Sequence, residues 1–107
     1  MSLFKISEKI VLNKLKKIEY GSLKLINYDG QVFHFGNLED ELTADIKIKN
    51  EKFYFNIILG GSSALGEAHM SKDFYSTNLT NLIELTARNI KLVHSFSGSL
   101  RVQKIKN

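Results

Sequence analysis

Gly21-Ser-Leu-Lys-Leu-Ile-Asn-Tyr-Asp-Gly-Gln-Val-Phe-His-Phe-Gly36 is the stretch in which the hydrophobic period of the chain changes, and it decides the fold class. Leu23 and Leu25 alternate with Lys24, while Ile26 and Tyr28 lie on the opposite face. Val32, Phe33, His34 and Phe35 follow Asp29-Gly30. An Asp-Gly pair between two alternating runs marks a β-hairpin, because the tight turn needs positive φ and these residues tolerate it.

Upstream the period is that of a helix. Leu3, Ile6, Ile10, Val11, Leu15 and Ile18 recur at spacings of three and four, with Ser2 as N-cap and Gly21 as stop. Downstream, Ala44, Ile46 and Ile48 alternate with Asp45, Lys47 and Lys49. Asn50-Glu51-Lys52 reads as a turn, and Phe53 to Leu59 as a returning strand with Tyr54 facing out. Gly60-Gly61 ends it. Ser63 to Met70 reads as a short serine-capped helix, and Thr77 or Asn78 caps a longer one. Leu79, Leu82, Ile83, Thr86, Ala87 and Ile90 form its expected core stripe. The predicted class is α+β: an antiparallel sheet of two hairpins, about four strands, packed against an N-terminal helix and two C-terminal helices. Residues 1–94 form one domain, and the pattern breaks after His94 into a basic tail, 95–107.

The 107 residues are 43% hydrophobic and 24% charged, which suits one small globular core. Without cysteine, disulfide frameworks and thiolate metal clusters are excluded. The longest apolar run falls far short of the ~20 residues of a membrane span. Glu8 and Lys9 interrupt the basic N-terminus before a signal-peptide core, so the expectation is a cytoplasmic protein. The net charge of +4 is unevenly placed. Residues 1–20 carry five lysines against two glutamates, residues 21–90 are net acidic, and residues 91–107 carry four basic residues and no acid.

Most catalytic signatures fail on their own chemistry. Gly60-Gly61-Ser-Ser-Ala-Leu-Gly66 sits where phosphate loops sit, but Glu67 stands where a P-loop needs lysine. His69 and Asp73 have a chelating i, i+4 spacing without a second ligand pair. No G-x-S-x-G elbow is present. Glu39, Asp40 and Glu41 read as a solvated connection. Strand aromatics near Lys49 and Lys52 could stack bases, yet the sheet region is acidic, which disfavours nucleic acid. The first helix combines an apolar stripe with lysines, the pattern of a membrane-surface helix and equally of a core-docked one.

Three ordered stretches resemble the N-terminal region of cyclopropane-fatty-acyl-phospholipid synthases. They are Gly21-Ser-Leu-Lys-Leu25 with Asp29-Gly30 and Phe35-Gly36, then Leu59-Gly-Gly-Ser-Ser-Ala-Leu-Gly66-Glu67-Ala-His69-Met70-Ser-Lys72-Asp73-Phe74, then Ser76 to Asn89. His69 stands where the family usually has tyrosine, Lys72 where it often has glycine, Phe74 where it favours tryptophan, and Asn78 where it has aspartate. The resemblance implies a lipid-handling domain that belongs with S-adenosylmethionine-dependent modification of membrane acyl chains. The family's methyltransferase domain lies downstream of this region, so no catalytic residue or cofactor is carried over and the chain is expected not to be an enzyme by itself. It implies a signature of Gly66, Glu67, Met70, Asp73, Phe74 and Leu79 near the lipid-handling face; otherwise Gly66, Met70 and Leu79 read as conformational and core residues. Lys5, Lys9, Lys16, Lys17, Arg101, Lys104 and Lys106 are the membrane-facing basic candidates. The implied partners are an anionic phospholipid membrane or acyl lipid, a methyltransferase domain or subunit, and a second copy in a homodimer. No metal is expected, and the expected location is cytoplasmic, peripheral on the inner membrane face.

Overall fold

A computed structural model describes residues 2–98. The element order is α1 Leu3–Leu15, β1 Ser22–Ile26, β2 Val32–Gly36, β3 Thr43–Ile48, α2 Lys52–Gly60, α3 Ser62–Met70, β4 Phe74–Tyr75, α4 Leu79–Arg88 and α5 Ile90–Gly98. The class is α+β, with N-terminal and C-terminal helices as the sequence predicts.

The first hairpin forms as read. Leu23 pairs with Phe35 and Leu25 with Phe33, antiparallel, around a turn in which Gly30 N–H bonds Asn27 O at 2.9 Å. Leu23, Leu25 and Phe35 are buried, as are Ala44, Ile46 and Ile48 of β3. One sheet face therefore carries the core, and the other carries Lys24, His34, Asp45 and Lys47.

The second hairpin does not form. β3 lies parallel to β1, and the sheet order is β2-β1-β3-β4. The sheet is mixed because the 37–42 connection carries the chain past β1 instead of back along β2. Two glycines make that crossing: Gly21 at φ +79° and Gly36 at φ +85°. A Cβ on Gly36 would sit 2.3 Å from Gly21 O, and one on Gly21 would sit 2.6 Å from the Leu85 side chain. Backbone approach this close tolerates no side chain. The motif glycines at 21 and 36 are thereby explained by conformation.

Residues 53–59 form α2, not a strand. Aromatic and β-branched residues there favour a strand by propensity, but a segment apolar on both faces has no period-2 signal. The buried positions are Phe53, Tyr54, Ile57 and Ile58, a helical spacing. Asn50-Glu51-Lys52, read as a turn, is the helix start: Asn50 Oδ1 accepts from Lys52 N–H and Asn50 O from Phe53 N–H. Tyr54 is fully buried rather than outward. The fourth strand comes instead from Phe74–Tyr75, paired antiparallel with Ile48 and Lys47.

Four smaller expectations change. Ser2 caps α1, but the helix ends at Leu15, and Ile18 closes a turn onto Leu15 O before Gly21. Ser63 does not cap α3; its hydroxyl donates to Gly60 O. The stripe of the next helix is rotated. Leu82 and Leu85 are buried, Ile83 and Ile90 are exposed, and Asn89 breaks the rod into α4 and α5. Asn78 does cap α4, accepting from Asn81 N–H at 3.0 Å. The helix continues through the stretch after His94 to Gly98, and Phe96 is buried in the core.

Candidate functional site

Helices α1, α2, α4 and α5 lie over the apolar sheet face and leave a cavity of about 90 Å³. Leu23, Leu25 and Ile46 form its floor, Val11 and Leu15 come from α1, Phe53 and Ile57 from α2, and Leu92, Val93 and Phe96 from α5. Its two polar neighbours are occupied elsewhere. The Thr86 hydroxyl donates to Leu82 O. Asn89 Oδ1 accepts from Glu19 and Tyr20 N–H, and its Nδ2 donates to Tyr20 O and Leu85 O. The cavity thus offers no hydrogen bond and no charge, which is the chemistry of a hydrocarbon site. For scale, an engineered apolar cavity of ~150 Å³ holds benzene or xenon. About 90 Å³ suits the end of an apolar chain with the helices in their present places. Sequence patterning assigns core residues but not the gap between them, and Leu92, Val93 and Phe96 lay beyond or at the edge of the expected stripe.

The outer face of α1 is chemically different. Leu3 is 48% and Ile6 36% exposed, and both belong to the expected apolar stripe. Ile10 is half-buried, and Lys9, Lys16 and Lys17 are exposed beside them. Positions 3, 6, 10 and 13 are three or four apart and share one face of α1, and Lys16 and Lys17 follow in the turn after it. Next to it, Lys9, Ile10, Leu12, Asn13 and Lys16 line a groove with Phe33 and Phe35. Apolar and cationic groups therefore lie side by side on the exposed surface of α1 and the turn that follows it. Lys5 is engaged elsewhere. It donates to Tyr28 Oη at 2.6 Å and lies 3.6 Å from Glu51, and the hydrogen bond to Tyr28 pushes its pKa up. Arg101, Lys104 and Lys106 lie outside the described residues.

Beneath Lys5 runs a polar latch. Tyr54 Oη donates to Asn27 Oδ1 at 2.5 Å, Asn27 Nδ2 donates to Glu8 Oε2, and Tyr28 Oη donates to Glu8 Oε1. Burial pushes the Tyr54 phenol far up, so it stays a neutral donor. The latch joins α1, the hairpin turn and α2. Among the described residues no buried side-chain polar atom lacks a partner.

The signature residues separate by role. Lys72, at φ +60°, ends α3 in the left-handed region. Its N–H bonds His69 O and that of Asp73 bonds Ala68 O, the two bonds of a Schellman stop. A glycine at this position would meet that backbone requirement without the side-chain cost. Asp73 is buried; its carboxylate accepts from Asn50 Nδ2 at 3.1 Å and lies 3.9 Å from Lys52, tying α3 to the start of α2. Phe74 is buried against Phe53 with ring centroids 5.6 Å apart, and Leu79 packs half-buried on the core. Gly66 and Glu67 are exposed on α3, and Met70 is 83% exposed, so Met70 is not a core residue. Glu67 and Asp73 share a recess with Asn56, Ala64 and Ser71. None of the six lines the apolar cavity. The His69 ring lies tilted against Phe74 with centroids 5.7 Å apart, and among the described residues no group of three His, Asp or Glu side chains converges as a metal site. No family model, no curated protein and no solved structure matches this chain.

Proposed function

We propose that this chain is a non-catalytic lipid-binding module that sits peripherally on an anionic membrane through the outer face of α1. The observation that carries the reading is the exposed Leu3–Ile6 row of α1, with Lys9 exposed on the same helix and Lys16 and Lys17 exposed in the turn that follows it. Apolar side chains at such a face gain by entering the acyl boundary, and lysines gain about 1 kcal/mol each near anionic lipid. The cavity behind α1 supports the same reading by accepting a chain end and nothing charged. The resemblance of the ordered motifs to those of the cyclopropane synthases points the same way. No helix among the described residues is long and apolar enough to cross a membrane.

Co-sedimentation with vesicles tests it. Binding is expected to phosphatidylglycerol-containing vesicles and not to phosphatidylcholine alone, and to fade as salt shortens the Debye length from ~10 Å at 0.1 M to ~3 Å at 1 M. Lys9→Glu with Lys17→Glu should abolish it. Equal sedimentation with both lipids, or none, would contradict the reading.

A second reading is favoured by a different face. Ile83 and Ile90 are exposed with Ala87 between them, an apolar row on α4 and the start of α5 suited to docking on a separate methyltransferase. Co-elution with such a partner, lost in Ile83→Glu, would establish it.

A further inference from the structure

The geometry points to the outer edge of β2 as a self-pairing surface, through which two copies of this chain form a two-fold dimer centred on His34. The inference is independent of the lipid reading. Asn27 N–H bonds Gln31 O and Asn37 N–H bonds Gly21 O at the two ends of the β1–β2 ladder. Leu25↔Phe33 and Leu23↔Phe35 fall between them in register. Antiparallel ladders alternate, so the odd-numbered residues of β2 spend their main-chain groups on β1. Val32, His34 and Gly36 aim theirs away from the sheet.

β2 is the end strand, and among the described residues nothing pairs with that side. Val32 is 50% exposed and His34 is exposed. The strand carries none of the devices that blunt an edge: no proline, no lysine and no bulge in its register. The opposite edge is the two-residue β4. Among the described residues β2 offers a five-residue open edge, and an edge that meets itself about a two-fold axis closes as a dimer.

The occupant follows from the symmetry of the edge. The outward residues are disposed evenly about His34, so a second antiparallel copy sets His34 opposite His34 and Val32 opposite Gly36. Every outward donor then meets an outward acceptor. On the helix side, the Phe33 and Phe35 rings stack with centroids 6.1 Å apart and floor the groove beside α1. The second copy brings the same pair to the open end of that groove. On the other side, His34 faces Lys24 across the ladder, and Asp45 lies one strand further.

Because the chain has no cysteine, a single introduced one reports the pairing without background. Opposed residues in a hydrogen-bonded pair have Cα atoms ~5.5 Å apart, inside the disulfide range. His34→Cys is therefore expected to cross-link under mild oxidation. Val32→Cys is not, since its two copies lie about four residues apart along the strand, roughly 13 Å. By sedimentation, the wild-type chain should run at twice 12.2 kDa. His34→Pro deletes only an outward N–H, and His34→Lys sets like charges opposite each other. Each should give a monomer with unchanged circular dichroism, and the lysine variant answers the question if the proline variant fails to fold. A wild-type monomer at hundreds of micromolar, a dimer that survives a folded variant, or cross-linking at 32 as fast as at 34 would overturn the proposal. So would capture of an unrelated extended peptide by a chain that does not self-associate.

Discussion

Lys72 shows how a single residue records a backbone demand. At φ +60° it occupies a region that costs a side-chain-bearing residue roughly 1–2 kcal/mol, partly offset by the entropy glycine loses on folding. Lys72→Gly should therefore stabilise the fold by about 1 kcal/mol, read as a higher urea midpoint at unchanged slope. Destabilisation would mean that the lysine side chain matters more than its backbone. Asp40 belongs to the same scale. It was read as part of a solvated acidic connection, but its carboxylate accepts from Leu42 and Gly21 N–H at 3.0 and 3.1 Å and holds the crossing between β2 and β3. Those backbone bonds, that of Leu42 foremost, lower its pKa. Its folded value then lies below its unfolded one, so its contribution is full above the ordinary carboxylate range and is lost as pH falls through the folded value. Asp40→Asn should lower stability near pH 7 and flatten the stability profile below about pH 4. A parallel downward shift of the whole curve would exclude the ionic part of this account.

At the scale of elements, α2 is the informative case. Phe53 to Leu59 carries strand-forming residues on both faces, and sequence periodicity could not separate a central strand from a buried helix. Tertiary contacts decide it: Phe53 against Phe74, Phe55 against Phe4, and Tyr54 hydrogen-bonded to Asn27 through the latch that also holds Glu8. Tyr54→Phe leaves Asn27 Oδ1 without its donor in a buried site and should cost about 2 kcal/mol in chemical denaturation. A cost near zero would show that the latch is incidental to holding α1, the hairpin turn and α2 together. The first hairpin, the alternation of β3 and the caps at Ser2 and Asn78 were legible because each rests on local chemistry. The parallel pairing of β1 with β3 was not, because it depends on where a connection crosses. Asn89 shows the same limit, since its side chain reaches Glu19 and Tyr20 some seventy positions earlier.

At the scale of the whole molecule, the proposed lipid contacts divide between an inside, the apolar cavity, and an outside, the exposed face of α1. The basic character of α1 was visible in the sequence. The exposure of Leu3 and Ile6 was not, because a helical stripe is the same whether a core or a bilayer receives it. The cavity was illegible for another reason: it is a mismatch in volume among residues of four helices and a sheet. Val11→Leu adds a methylene at its wall and should stabilise the chain by about 0.8 kcal/mol while weakening the binding of a fluorescent fatty acid. Stabilisation with unchanged binding would place the chain end elsewhere. Of the six residues around α3, Asp73 and Phe74 join the sheet edge to α2, a structural role.

The most direct test of that division uses the absence of tryptophan in the chain. Ile6→Trp puts one fluorophore on the outer face of α1, and Ile83→Trp puts one on the exposed row of α4. With phosphatidylglycerol vesicles, the account predicts a blue shift and protection from aqueous quencher for the tryptophan at position 6, with none at position 83. No shift at position 6, or an equal shift at both, would contradict membrane docking through α1.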